Sequence, residues 1–170
     1  MKRAGYDAIA GALLLLAPTP PSAGQPFPLP GAKSARYVDF SVDDFRAQRI
    51  ARKSLAKEIA EEGGLPSDFQ SFRTAWARVS DGASPYLFVR YGCSASGNCG
   101  LYGFERTAKG WRRVLNGSAQ MCWILSSSHG GRRDISVSLH GSATESTIET
   151  YWWRMNRYVR VSERKVVIYK

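Results

Sequence analysis

Apolar side chains recur every fourth residue in one stretch only. Ala47, Ala51, Leu55 and Ile59 are separated by polar and charged positions, which is the pattern of one face of a helix. Ser41 followed by Asp44 reads as a capping box, and Asp43 and Asp44 sit where a helix N-terminus favours negative charge. Gly63-Gly64 supplies a stop. After residue 70 the pattern changes to short runs rich in β-branched and aromatic residues. The predicted strands are Phe72–Val79, Tyr86–Tyr91, Cys99–Arg106, Trp111–Leu115, Met121–Ser126, Asp134–His140, Thr147–Arg154, Tyr158–Ser162 and Val166–Tyr169. Asp81-Gly82, Lys109-Gly110, Asn116-Gly117, Gly130-Gly131, Gly141 and Met155-Asn156 are the expected turns between them.

Short strands with no helical period between them point to an antiparallel arrangement rather than βαβ units. Ile135, Val137 and Leu139 alternate with Ser136, Ser138 and His140, which predicts one buried and one wet face. The expected fold is α+β: an N-terminal helix packed on a curled antiparallel sheet, whether a meander, a small barrel or a propeller-blade-like stack.

The N-terminal region has a different texture. Lys2 and Arg3 precede the short apolar run Ile9–Ala17, prolines break it, and Ser22-Ala23-Gly24 offers small residues for cleavage. Charge, apolar core, breaker and small residues stand in the order of a secretory signal peptide, here residues 1–23. The run is too short to remain as a spanning anchor, so no transmembrane anchor is expected. Six of the eight prolines lie between Pro18 and Pro30, so residues 24–36 read as an extended linker. A single helix-plus-β domain is then expected over 37–170, with the protein periplasmic or secreted.

Export changes what the three cysteines mean, because an oxidising compartment favours disulfides. Tyr91-Gly-Cys93 and Cys99-Gly-Leu-Tyr102 flank a short loop almost symmetrically, which places Cys93 opposite Cys99 across a hairpin neck. A structural Cys93–Cys99 bond is the favoured reading. Pairing of Cys122 with either is the rival connectivity, and a buried free thiol is the alternative for Cys122. A metal site lacks histidines at ligand spacing, and the pair is not a Cys-x-x-Cys redox motif.

Several of these segments together resemble a group of small, uncharacterised exported bacterial β-rich proteins. The segments are Cys93…Cys99-Gly-Leu-Tyr-Gly-Phe, Gly110-Trp111-Arg112, Gly131-Arg-Arg-Asp-Ile135 and Trp153-Arg-Met-Asn-Arg-Tyr158. In that group a Cys hairpin is followed by a Gly-Trp turn, a Gly-x-x-Asp strand start and a Trp…Tyr hairpin. This chain departs from the pattern in a Cys loop one residue longer and in Met155-Asn156 at an Asp-Gly turn. The resemblance spans roughly residues 85 to 160. It implies export and a β-rich fold, and it implies no catalytic residues.

The net charge is +10, and it is unevenly placed. Residues 24–70 carry seven basic and seven acidic side chains, whereas residues 71–170 carry fifteen and six, and twelve of the fifteen are Arg. Arg112, Arg113, Arg154, Arg157 and Arg160 lie near Trp111, Tyr151, Trp152, Trp153 and Tyr158 in sequence. Guanidinium groups beside aromatic rings can hold phosphates or carboxylates, so Arg112, Arg113, Trp153, Arg154, Arg157 and Arg160 are the candidate anion-binding residues. The bland alternative is a solvated face in which Arg stems cover exposed rings. Export argues against a nucleic-acid partner.

Catalytic patterns are thin. Ser126–Ser128, His129 and Asp134 could be drawn as a triad, but they share one loop and lack a nucleophile elbow. Asp134 reads instead as a turn acceptor for backbone N–H groups, His140 as an exposed strand-end histidine, and Glu145 and Glu149 as ion-paired carboxylates. No cofactor motif or metal-ligand spacing stands out. The sequence therefore favours a non-catalytic binding or envelope-associated module, with an anionic envelope component or a secreted protein as its partner. The alternatives are an inhibitor of a secreted hydrolase, similar to lysozyme inhibitors, and a weak hydrolase built on His129.

Overall fold

The computed structural model describes residues 34–61 and 72–167. The proposed signal peptide, nearly all of the linker, the Gly63-Gly64 stop and the C-terminal residues 168–170 lie outside these. The elements in chain order are β1 (Ala35–Tyr37), α1 (Phe45–Ser54), α2 (Ala56–Glu61), β2 (Arg73–Ala77), β3 (Tyr86–Tyr91), β4 (Cys99–Thr107), β5 (Gly110–Ala119), β6 (Met121–His129), β7 (Arg132–His140), β8 (Glu145–Arg154) and β9 (Arg157–Val167).

The strands form two open antiparallel sheets, not one curled sheet. Five strands run in the order β1-β6-β7-β8-β9 and four in the order β2-β3-β4-β5. Cys122, Ile124, Ile135, Val137, Tyr151 and Trp153 from the first, with Val38 just after β1, share one core with Ala75, Tyr86, Phe88, Leu101 and Leu115 from the second. The opposite face of the four-stranded sheet presents Leu87, Val89, Tyr91 and Phe104 to Ala47, Ala51, Leu55 and Ile59 of the helical segment. The order of layers is therefore helices, four strands, five strands. Each inter-layer core removes apolar surface from water on both sides of the four-stranded sheet.

The apolar stripe of the helical segment is buried as its period predicts, but Leu55 divides the segment into α1 and α2. The cap also differs from the expected box. Asp44 is the N-cap, accepting from the Ala47 N–H at 2.9 Å and from Trp76 Nε1 at 2.7 Å. Ser41 instead bonds Asp43 and bridges to Thr74, pinning the helix start to β2.

Four further expectations change. Ser136 and Ser138 are buried, not wet. They lie on the central strand β7 between Trp123 and Thr150 and between Met121 and Ile148, whose bulk covers a small side chain. Asn116-Gly117 does not turn the chain; β5 runs through it to Ala119. A Cβ on Gly117 would lie 2.6 Å from the Tyr151 hydroxyl, so this glycine serves close approach between the sheets. Ala35 and Arg36, assigned by sequence to the linker, pair with Leu125 and Ile124 as strand β1. The predicted strands Tyr158–Ser162 and Val166–Tyr169 are one strand, β9, as far as Val167.

The Cys93–Cys99 disulfide is present, and Cys122 is a buried free thiol. The loop that the disulfide closes docks on the five-stranded sheet. The Asn98 side chain accepts from the His140 N–H at 2.7 Å and donates to the His140 carbonyl at 2.8 Å. No helix among the described residues is long and apolar enough to cross a membrane.

Candidate functional site

The six residues proposed from sequence for anion binding do not form one face. Arg112 and Arg113 project from β5. Arg112 bonds Glu105 at 2.7 Å, and Arg113 pairs with Glu58 of α2 while its guanidinium lies 5.7 Å from the Tyr102 ring centre. Arg160 on β9 bonds Glu149 at 2.6 Å and Glu163 at 3.1 Å. Each of these three charges is met by a carboxylate. Trp153 is not a surface ring at all; it is 9 % exposed, packed edge-on against Tyr86 and Tyr158, with the Arg132 guanidinium 5.4 Å from its centre.

Glu149 is the hub of the Arg160 network. Its buried carboxylate also accepts from the Tyr151 hydroxyl at 2.6 Å. Burial first, and then that carboxylate, push the Tyr151 phenol above its ordinary range, so it stays a donor. The ion pairing expected of Glu149 is thus observed, whereas Glu145 stands exposed at the start of β8.

Arg154 and Arg157 are different. They are direct cross-strand partners at the end of the β8–β9 hairpin. Met155 and Asn156 between them have φ of 48° and 60°, a two-residue turn whose twist suits the flanking strands. Both arginines are exposed, and neither forms an ion pair among the described residues. Like charges directly opposite across a strand pair repel. The Arg154 guanidinium lies 5.0 Å from the centre of the Trp152 ring, in cation–π range.

Trp152 in turn meets His129. The two rings stack at 3.7 Å with planes 12° apart. His129 ends β6, and the Gly130-Gly131 turn carries the chain back into β7. A Cβ on Gly130 would lie 2.7 Å from the Trp153 carbonyl oxygen, so the turn seats directly on β8 and brings His129 to Trp152. Asp134, 1 % exposed, fixes the imidazole: His129 Nδ1 lies 2.8 Å and 2.9 Å from its two oxygens. An ionised carboxylate only accepts, so Nδ1–H donates and Nε2 is left for solvent or ligand. Ser127 Oγ donates to the same carboxylate at 2.6 Å, from a stretch of β6 where the pairing register shifts.

Asp134 is therefore a side-chain acceptor, not the backbone turn acceptor expected. The Ser–Asp–His order also differs from a nucleophilic triad, because Ser127 bonds the carboxylate and not the imidazole. Among the described residues no group of three His, Cys, Asp or Glu side chains is placed to hold a metal.

The sequence reading set Trp152 beside the arginines but chose Trp153 as the candidate binding ring, and it missed His129 as part of the cluster. The signal was available in the strand period: residues 152 and 154 share one face of β8 while 151 and 153 share the other. The contribution of His129 comes from β6 and has no local signal. In comparisons with known proteins the chain matches no protein family, no curated protein and no solved structure.

Proposed function

We propose that this is an exported, non-catalytic binding protein of the periplasm or the medium that takes anionic envelope ligands at the β8–β9 hairpin. The observation that carries the reading is the unneutralised pair Arg154 and Arg157, set directly opposite each other beside the Trp152–His129 stack. Two facing guanidinium groups cost stability unless an anion lies between them. A phosphate or carboxylate there relieves the repulsion and accepts planar, forked hydrogen bonds. Trp152 and the free edge of His129 add a polarisable wall beside the charge. The N-terminal signal pattern, the disulfide and the resemblance to small exported bacterial proteins all support the compartment.

Co-sedimentation with isolated envelope fragments tests this reading. The mature protein is expected in the pellet, and the double variant Arg154→Ala/Arg157→Ala in the supernatant. Equal sedimentation of both would reject the hairpin as the binding element.

A further inference from the structure

A second concentration of arginine lies away from the β8–β9 hairpin, where β1 and β6 meet the turn that follows β2. Arg36, Arg78 and Arg133 line a cavity of about 410 Å3 there, together with Asp81, Ile124 and Ser126. From this we infer a binding site for a sugar-sized phosphomonoester, independent of the hairpin reading.

Charge is the first argument. Three arginines against one aspartate leave a net of two positive charges on the lining. A phosphomonoester carries about −1.5 to −2 at neutral pH and three acceptor oxygens. It matches that balance, whereas a phosphodiester or a single carboxylate leaves a positive charge unmet.

Geometry is the second. Arg36 is anchored through Nη2 to the Arg78 carbonyl at 3.0 Å, which holds the guanidinium at the cavity wall with further N–H donors to spare. Arg133 is fixed at its backbone by a 2.6 Å bond from its N–H to the Val79 carbonyl. Its one ion pair among the described residues is to Asp81 at 3.4 Å, and the Asp81 side chain is 96 % exposed. Such a long, solvated pair contributes little and yields to a dianion. Asp81 thus acts as a weak resident counter-ion that a ligand displaces.

Size is the third. The volume is within the lower range of small-ligand pockets and exceeds what a bare phosphate fills. Ile124 offers an apolar wall and Ser126 a hydroxyl for the body of the ligand.

The phosphomonoester could be a free sugar phosphate or a lipid headgroup, and two probes distinguish them. Titration calorimetry of the mature protein with glucose 6-phosphate tests the first, and phosphatidylcholine vesicles carrying phosphatidic acid test the second. Binding of either probe, with no heat from glucose, is the expected result. Arg133→Gln should weaken it at least about tenfold, the loss of one charged hydrogen-bonding group. Asp81→Asn should tighten it, a gain that misfolding cannot produce. Lys109→Ala should leave it within about twofold, since that exposed turn lysine lies outside the cavity. Binding of neither probe up to ~10 mM phosphate ester, or an affinity unmoved by both Arg133→Gln and Asp81→Asn, overturns the site.

Discussion

The imidazole of His129 and the indole of Trp152 lie face to face at 3.7 Å, joining the end of β6 to β8 two strands away. Two features hold that contact. Asp134 fixes the ring from the β7 side, and Gly130 lets the turn sit on the β8 backbone. The stack is thus a consequence of a turn that only glycine can make, and it sets the wall beside which Arg154 projects.

Gly130→Ala should therefore destabilise the protein by about 2–3 kcal/mol in urea denaturation, through left-handed strain together with a clash against the Trp153 carbonyl. Gly131→Ala is the control. Its φ is also positive, but nothing lies within 4 Å of an added Cβ. It should lose only about 1 kcal/mol. Equal losses at the two positions would show that the turn does not seat on β8.

Cys93→Ala should lower stability by about 2 kcal/mol, the loop-closure entropy of so short a ring. Asn98 adds a consequence, since it couples the disulfide loop to the His140 backbone. Hydrogen exchange at the His140 amide should rise in the same variant. Protection unchanged there would mean that the loop docks without help from the disulfide.

Cys122 is buried, and burial pushes its thiol up to about 12 against a smaller opposing pull from Arg90. The native protein at ~pH 8 should resist iodoacetamide and take up a single label only on unfolding, because the thiolate is the reactive form. Rapid native labelling would contradict the packed position of β6.

Asp44 caps α1, and its carboxyl is held below the ordinary value of 3.8 mainly by the Ala47 N–H and then by Trp76. A depressed folded pKa gives stability that is present above the unfolded value and lost as pH falls through the folded one. Asp44→Ala should therefore cost about 1 kcal/mol at neutral pH. The variant should also lose less on acidification to ~pH 3 than the parent, read from urea midpoints. Parallel acid limbs would remove Asp44 from the account.

Much of this fold was legible in local pattern. The four-residue stripe of α1 and α2, the bounds of β3 and the turn at Met155-Asn156 follow from periodicity and turn chemistry. What failed depends on partners distant in sequence. Asn116-Gly117 carries a turn signal, yet Gly117 is required by the Tyr151 hydroxyl of the facing sheet. Ser136 looks like a solvent-facing residue until Trp123 and Thr150 flank it. The candidate site divides in the same way. Arg154 and Arg157 were read as arginines near aromatic rings, and Arg154 does lie over Trp152, but only the placement of Glu58, Glu105, Glu149 and Glu163 reveals that Arg112, Arg113 and Arg160 are already neutralised.

The central claim is that the β8–β9 hairpin is a site and not part of a general positive field. The most direct test is the salt dependence of binding to anionic envelope vesicles for the parent, Arg154→Ala and Lys109→Ala, the last an exposed turn lysine on the other sheet. A coulombic field weakens everywhere as the screening length falls from ~10 Å at 0.1 M toward ~3 Å at 1 M salt. Arg forks and ring contacts are short-ranged and persist in part. The account predicts residual parent binding at high salt, its loss in Arg154→Ala, and near-parental behaviour in Lys109→Ala. Equal weakening by Arg154→Ala and Lys109→Ala, with no binding left for any of the three proteins at high salt, would contradict it.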